Sequence, residues 1–182
     1  FSPTILRNAT AYGISSSLRL DLVVNNLVCS ALTTGKVKLL SDGTSWRPLL
    51  HVEDMANAFI TCLKQSREKI SGEIFNVGSN KDNYTVREIA EKVEKIVPNS
   101  IIEYSTTASK DSRSYRVNFD KITDHIGFKT TWTLDDAIKQ IYRIMNEKNL
   151  LESDLNDKKF HRVKYLKYLI EQKKLNTNLE LI

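Results

Sequence analysis

SDGTSWRPLLHVEDMANAFI, residues 41–60, is the stretch on which the fold turns. Ser41-Asp42-Gly43 has the composition of a turn. Leu49 to Val52 reads as a short apolar strand. Immediately after it, Met55, Ala56, Phe59, Ile60 and Leu63 recur at the spacing of an amphipathic helix over Glu53 to Gln65. Arg47 falls in the loop between Gly43 and the Leu49 strand. A strand that feeds directly into a helix is the repeating unit of an α/β protein.

The same alternation extends in both directions. Upstream, ILRNATAYG (Ile5 to Gly13) is an apolar run closing on a Tyr-Gly turn, and Ile5 to Ala9 reads as a short buried strand. Leu22, Val23, Leu27, Ala31 and Leu32 mark a helix over Asp21 to Thr34, with Gly35 as its stop. Val37 to Leu40 is a strand. Downstream, Ile74 to Val77 is a strand ending at Gly78. Thr85 and Glu88 form a capping box that opens a helix to about Val97, ahead of Pro98. Ile101 to Tyr104 is a strand, and Asn118 to Ile126 a short helix stopped by Gly127. Thr133 caps a helix to about Glu147. The pattern divides the chain into an α/β body, residues 1–147, and a basic amphipathic helical tail, residues 148–182. In the tail, Phe160, Val163, Leu166 and Ile170 share a face over Asp157 to Lys173.

Composition narrows the function classes. At 182 residues the chain can bury roughly 70% of its unfolded surface. No apolar run approaches a membrane span, and the N-terminus has no signal-peptide pattern, so a cytoplasmic protein is expected. Cys29 and Cys62 each sit in an apolar helical pattern and read as buried reduced thiols. Of the net charge of +5, the segment from Lys148 onward carries +3, with eight Lys/Arg against five Asp/Glu. A basic excess confined to one end is not the interleaved stripe of a nucleic-acid reader. The three histidines, His51, His125 and His161, have no metal-ligand spacing, and His51 reads as a structural residue.

Taken in order, these segments resemble the C-terminal half of the extended short-chain dehydrogenase/reductases, and within them the NAD-dependent epimerase/dehydratase family. The resemblance covers about Ile5 to Met145. Its most specific piece is Ser41 to Ile60, similar to the family's G-D-G…R-D-x-x-x-V-x-D block. The Leu6 to Gly13 strand-turn, Asn25-Asn26-Leu27, GEIFNVGS (Gly72 to Ser79) and DSRSYRVNFDKI (Asp111 to Ile122) followed by Gly127-Phe128 complete the series. The implied fold is the late part of a Rossmann-type parallel sheet plus a small α/β substrate lobe, with an extra C-terminal helix.

The resemblance also implies a site. Arg47 matches the family's diphosphate-binding arginine, consistent with the planar fork that makes Arg suited to phosphate. Arg113 lies close to a second phosphate-side arginine, and Asp111 beside it fits a ribose-hydroxyl acceptor. Asn26 matches a helix position that contacts the diphosphate. Leu40 stands where backbone groups meet the base, with its side chain expected in the core. Thr10 departs from the family, in which several members carry Asn near the sugar. Tyr115 is expected to pack beneath the site, Gly13 to serve a turn, and Arg19 to face either sugar or solvent.

The implied function is to hold a nucleotide-diphosphate sugar while NAD or NADP exchanges hydride with the sugar ring. No G-x-G-x-x-G loop occurs, and no Tyr stands four residues before a Lys. The cofactor and the proton-transfer tyrosine are therefore expected on an N-terminal dinucleotide-binding half, joined in cis or in trans. Stripped of that half, the Ile5 and Ile74 strands would present open edges and make the chain poorly soluble. A homodimer stays open. So does a second class, a non-catalytic nucleotide-binding or scaffold protein that docks a partner through its tail helix. Neither membrane nor nucleic acid is an expected partner.

Overall fold

The computed structural model describes residues 1–104 and 113–182. Seven strands and seven helices lie among them, interspersed with short 3₁₀ turns. Strand β1 (Ile5–Asn8) pairs in parallel with β5 (Ile74–Val77), Ile5 opposite Ile74. Strand β2 (Thr10–Tyr12) pairs in parallel with β4 (Trp46–His51), and β4 pairs antiparallel with β6 (Asn83–Thr85). Strand β3 (Lys36–Leu39) pairs in parallel with β7 (Ile101–Tyr104).

The expected buried strand Ile5 to Ala9 is corrected in two ways. After Asn8 the chain changes partners, leaving β5 for β4, with the Ala9 N–H donating to Val77 O at 3.0 Å as the last link. Strand β1 is also largely exposed, because β5 is its only strand neighbour among the described residues. An apolar run of this length states a preference for burial and cannot supply the covering element.

The helices follow their local signals closely. Helix α1 (Val23–Thr34) ends on Gly35, whose φ of 67° lets its N–H reach Ala31 O. It begins two residues later than expected, because Asp21 is drawn into a pair with Arg19. Helix α2 (Val52–Leu63) is capped by His51, whose Nδ1 accepts from the Glu53 N–H. A single turn, α3 (Arg67–Ile70), precedes β5. Helix α4 (Val86–Ile96) has the full reciprocal Thr85–Glu88 capping box. Helices α5 (Asp120–Ile126) and α6 (Leu134–Glu147) end at Gly127 and begin after Thr133 as expected.

Two apolar clusters result. The larger joins α1, α4 and α6 over β3 through residues such as Val24, Val28, Ile89, Val93, Ile138 and Ile141. The smaller packs Leu50, Ala58, Phe75, Val77, Ile122 and Ile126 between α2, α5 and β5. Cys29 lies in the first and Cys62 in the second, both as free thiols. The tail is not one helix over Asp157 to Lys173. It makes 3₁₀ turns at Glu152–Asn156 and Lys158–Phe160, then helix α7 (Arg162–Glu171). Leu150, Leu155 and Phe160 pack on the larger cluster, whereas Val163, expected on the apolar face, is 62% exposed. The packing of Leu155 and Phe160 sets the tail's path and turns Val163 outward.

Candidate functional site

A cleft of about 480 Å³ opens where the start of α1, the end of β3 and the start of β4 converge. Thr10, Asn26, Leu40, Arg47 and Arg113, which are spread over a hundred residues of sequence, all line it. Asp111 lies outside the described residues.

Arg47 stands on β4 and not in the loop before it. Trp46 and Arg47 extend the strand by pairing with Thr85 and Tyr84 of β6, a contact no local pattern announces. The Arg47 Nη1 donates to Trp46 O at 2.7 Å and to Arg113 O. The segment carrying Arg113 is tied down further by Trp46 N–H donating to Ser114 Oγ at 3.1 Å, and by the Arg116 guanidinium 4.5 Å over the Trp46 ring. Two guanidinium groups and Lys38 thus border one space. The single carboxylate among the described lining residues, Asp21, is occupied by Arg19 in a two-pronged pair at 2.9 and 2.8 Å. That pairing holds the Asp21 carboxyl below its usual range. Cations facing one neutralised acid make the cleft attractive to an anion.

The adjacent asparagines separate in function. Asn26 faces the cleft and donates its amide N–H to Leu20 O at 2.9 Å. Asn25 is 1% exposed. Its Oδ1 accepts from Gly13 N–H at 3.0 Å, and its amide nitrogen donates to Gly13 O and Arg19 O. This closes the loop from Gly13 to Arg19. Gly13 itself has φ 119°, and a Cβ there would stand 2.7 Å from His51 Nε2. His51 is fully buried, stacked on Trp132 with ring centroids 4.0 Å apart. Its Nε2 donates to Gln140 Oε1 at 3.2 Å, so both ring nitrogens are satisfied, and burial lowers its pKa.

Two further expectations change. The Leu40 side chain is not core: it is 75% exposed at the rim. Strand β3 alternates inward at Val37 and Leu39 and stops there, leaving Leu40 beyond the last strand position. Tyr115 does not lie beneath the site but is a half-exposed wall of it. Lys38, Ser41, Asp21 and His161 were not anticipated. Lys38 was findable from strand alternation, since Val37 and Leu39 take the inner face. His161 carried no sequence signal.

Apart from this cleft, a cavity of about 560 Å³ lies between the Gly78–Asp82 loop and residues 129–133. Burial, then the nearby Asp54 charge, push the Asp82 carboxyl up to about 6. Asp54 is fully buried and accepts from Thr131 N–H, Thr131 Oγ1 and Trp132 N–H. No helix among the described residues is long and apolar enough to cross a membrane.

The architecture and the first part of the sequence have counterparts among known proteins. The family model for the NAD dependent epimerase/dehydratase family matches residues 1–78. The dTDP-glucose 4,6-dehydratase of Shigella flexneri is 25% identical over 122 residues, covering 63% of this chain and 33% of that protein. The structure of UDP-glucuronic acid 4-epimerase from Bacillus cereus, in complex with UDP-glucuronic acid and NAD, superposes with a TM-score of 0.65 at 21% identity. It covers 80% of this chain and 45% of that one. The dTDP-glucose 4,6-dehydratase of Bacillus anthracis, in complex with NAD, gives a TM-score of 0.65 at 20% identity over 87% of this chain and 46% of that one. Residues 1–78 thus resemble the NAD-dependent epimerase/dehydratase family, and the chain shares the α/β fold of Rossmann type of these solved structures. It spans about a third of the curated relative and under half of each of these two solved structures.

Proposed function

We propose that this chain is the nucleotide-sugar-binding portion of an NAD-dependent sugar epimerase or dehydratase, holding a nucleoside-diphosphate sugar for hydride transfer at its ring. The observation that carries this reading is the tethered pair Arg47 and Arg113 on one wall of a cleft whose only described acid is neutralised. The diphosphate takes charge-assisted hydrogen bonds from the two arginines, which a point charge could not orient as well. Asn26 and Thr10 supply neutral hydrogen-bonding groups beside it. Leu22, Val23 and Val86, each partly exposed, give a flat base an apolar surface. The chain's contribution to catalysis is orientation, which can remove several kcal/mol from a barrier.

The nicotinamide cofactor, which accepts and returns hydride when bound, does not fit the residues present here. The six glycines stand at 13, 35, 43, 72, 78 and 127, too far apart for a G-x-G-x-x-G loop. The space at Gly13 and Gly78 is already taken, by His51 and by the Phe119 ring. In this reading the cofactor and the proton-transfer group belong to a dinucleotide-binding half, in cis or in trans. The exposed β1–β5 pair and the outer face of α2, with Phe59, Ile60 and Leu63 open to solvent, are the surface it would cover.

The test is thermal unfolding with UDP, dTDP, CDP and GDP. One of them at 100 times its Kd should stabilise the protein by about 2.7 kcal/mol, and Arg47→Ala should abolish the shift while leaving the unliganded melting temperature within a few degrees. A protein indifferent to all four nucleotides is not a sugar-nucleotide lobe.

A further inference from the structure

We infer that the tail completes the nucleotide cleft, with His161 contacting a bound nucleoside diphosphate directly. This rests on the cleft reading above and adds to it a segment that lies beyond the Ile5 to Met145 resemblance.

Three observations converge. The first is placement. His161 lines the main cleft together with Asp21 and Arg47, and its neighbour Arg162 lines an adjoining pocket of about 260 Å³ that shares Thr10 and Leu22. The tail therefore runs past both compartments.

The second is anchoring. Leu20 is fully buried, and its peptide is held from both sides. Its carbonyl accepts from Asn26 Nδ2 and its N–H donates to Phe160 O, each at 2.9 Å. Two hydrogen bonds thus lead from a cleft residue to the residue just before His161. Leu155 and Phe160, both partly buried, pack against the larger apolar cluster and seat this part of the tail on the body.

The third is the state of the ring. His161 Nε2 stands 2.7 Å from Leu155 O. A carbonyl only accepts, so Nε2 carries the hydrogen and the ring plane is set. Nδ1 has no hydrogen-bond partner among the described residues and is the nitrogen left for a ligand. In the neutral ring it accepts from a ribose hydroxyl, and in the imidazolium it donates to a phosphate oxygen. Asp21, the acid on the same wall, is paired with Arg19 through both of its oxygens.

The experiment uses the intact protein and UDP, dTDP, CDP and GDP as probes. Diethyl pyrocarbonate modification of each histidine is followed by peptide mass spectrometry, and affinity by calorimetry. Saturation with the nucleotide that binds should slow modification of His161, while His125, exposed on α5 and bonded to Lys69 O, reacts as before. His161→Ala should raise the Kd about tenfold with an unchanged circular dichroism spectrum. If a nucleotide binds, yet neither His161 protection nor the Kd of the variant changes, the tail is no part of the site and the cleft reading stands. If none of the four binds the wild-type protein, both inferences fall together. The protection measurement is made on wild-type protein, so a variant that misfolds does not blunt the test.

Discussion

Asn25 shows how one buried amide can organise a loop beside the cleft. It satisfies Gly13 N–H and two carbonyls across the Gly13–Arg19 loop. Replacing it with Ala leaves those buried and part-buried groups without their partner, which costs about 1–3 kcal/mol. Asn25→Ala should therefore lose that stability in urea titrations, while Asn26→Ala, altering a partly exposed side chain, should lose less stability and more nucleotide affinity. Asp82 supplies a pH signature. Its pKa is raised from 3.8 to about 6, so the folded protein binds a proton that the unfolded chain releases. The stabilising proton is present at low pH and lost as pH rises through about 6. Asp82→Asn should accordingly be more stable than wild type at pH 8, with the difference vanishing towards pH 4. A gap in melting temperature that is constant over that range would show that the carboxyl is not the cause.

At the scale of elements, the first turn of α4 does more than begin a helix. Arg87 N–H donates to Gly43 O and Arg87 Nη2 donates to Asp42 O, both at 2.9 Å. The helix start thereby holds the turn that presents Ser41 and Leu40 to the cleft. The capping box fixes that start, with Thr85 N–H donating to Glu88 Oε2 at 2.7 Å and Glu88 N–H to Thr85 Oγ1 at 3.2 Å. Thr85→Ala should cost about 1 kcal/mol in chemical denaturation and weaken nucleotide binding along with it. Stability lost with affinity untouched would separate the helix from the turn.

At the scale of the whole molecule, the apolar surface is unevenly distributed. Leu63 is 83% exposed on α2, and β1 and β5 have only each other as strand neighbours among the described residues. Parallel strands are normally covered on both faces, and an exposed edge beside an apolar helix face is a site of association. The 182-residue chain studied alone should self-associate in sedimentation velocity, and Phe59→Glu with Leu63→Glu should shift it towards monomer. A monodisperse wild-type chain would mean that this surface needs no cover.

Sequence by itself determined what short-range physics controls. The start of α6, the αL stops at Gly35 and Gly127 and the α4 capping box are each settled within about four residues by a hydroxyl, a glycine or a carboxylate. Apolar periodicity established the alternation of strand and helix, and with the family resemblance it named Thr10, Asn26, Leu40, Arg47 and Arg113 before they met in space. Tertiary structure alone decided the rest. Strand β4 starts at Trp46 because β6 is there to pair with it, and the first apolar run divides at Ala9 because its two halves find different partners. Asn25 turns inward and Leu40 outward because of what lies across from them. His161 reaches the cleft only because Leu155 and Phe160 seat the tail on the core. Contacts between residues far apart in sequence leave no periodic trace, since the pattern within one element states which face is apolar and not which distant surface will meet it.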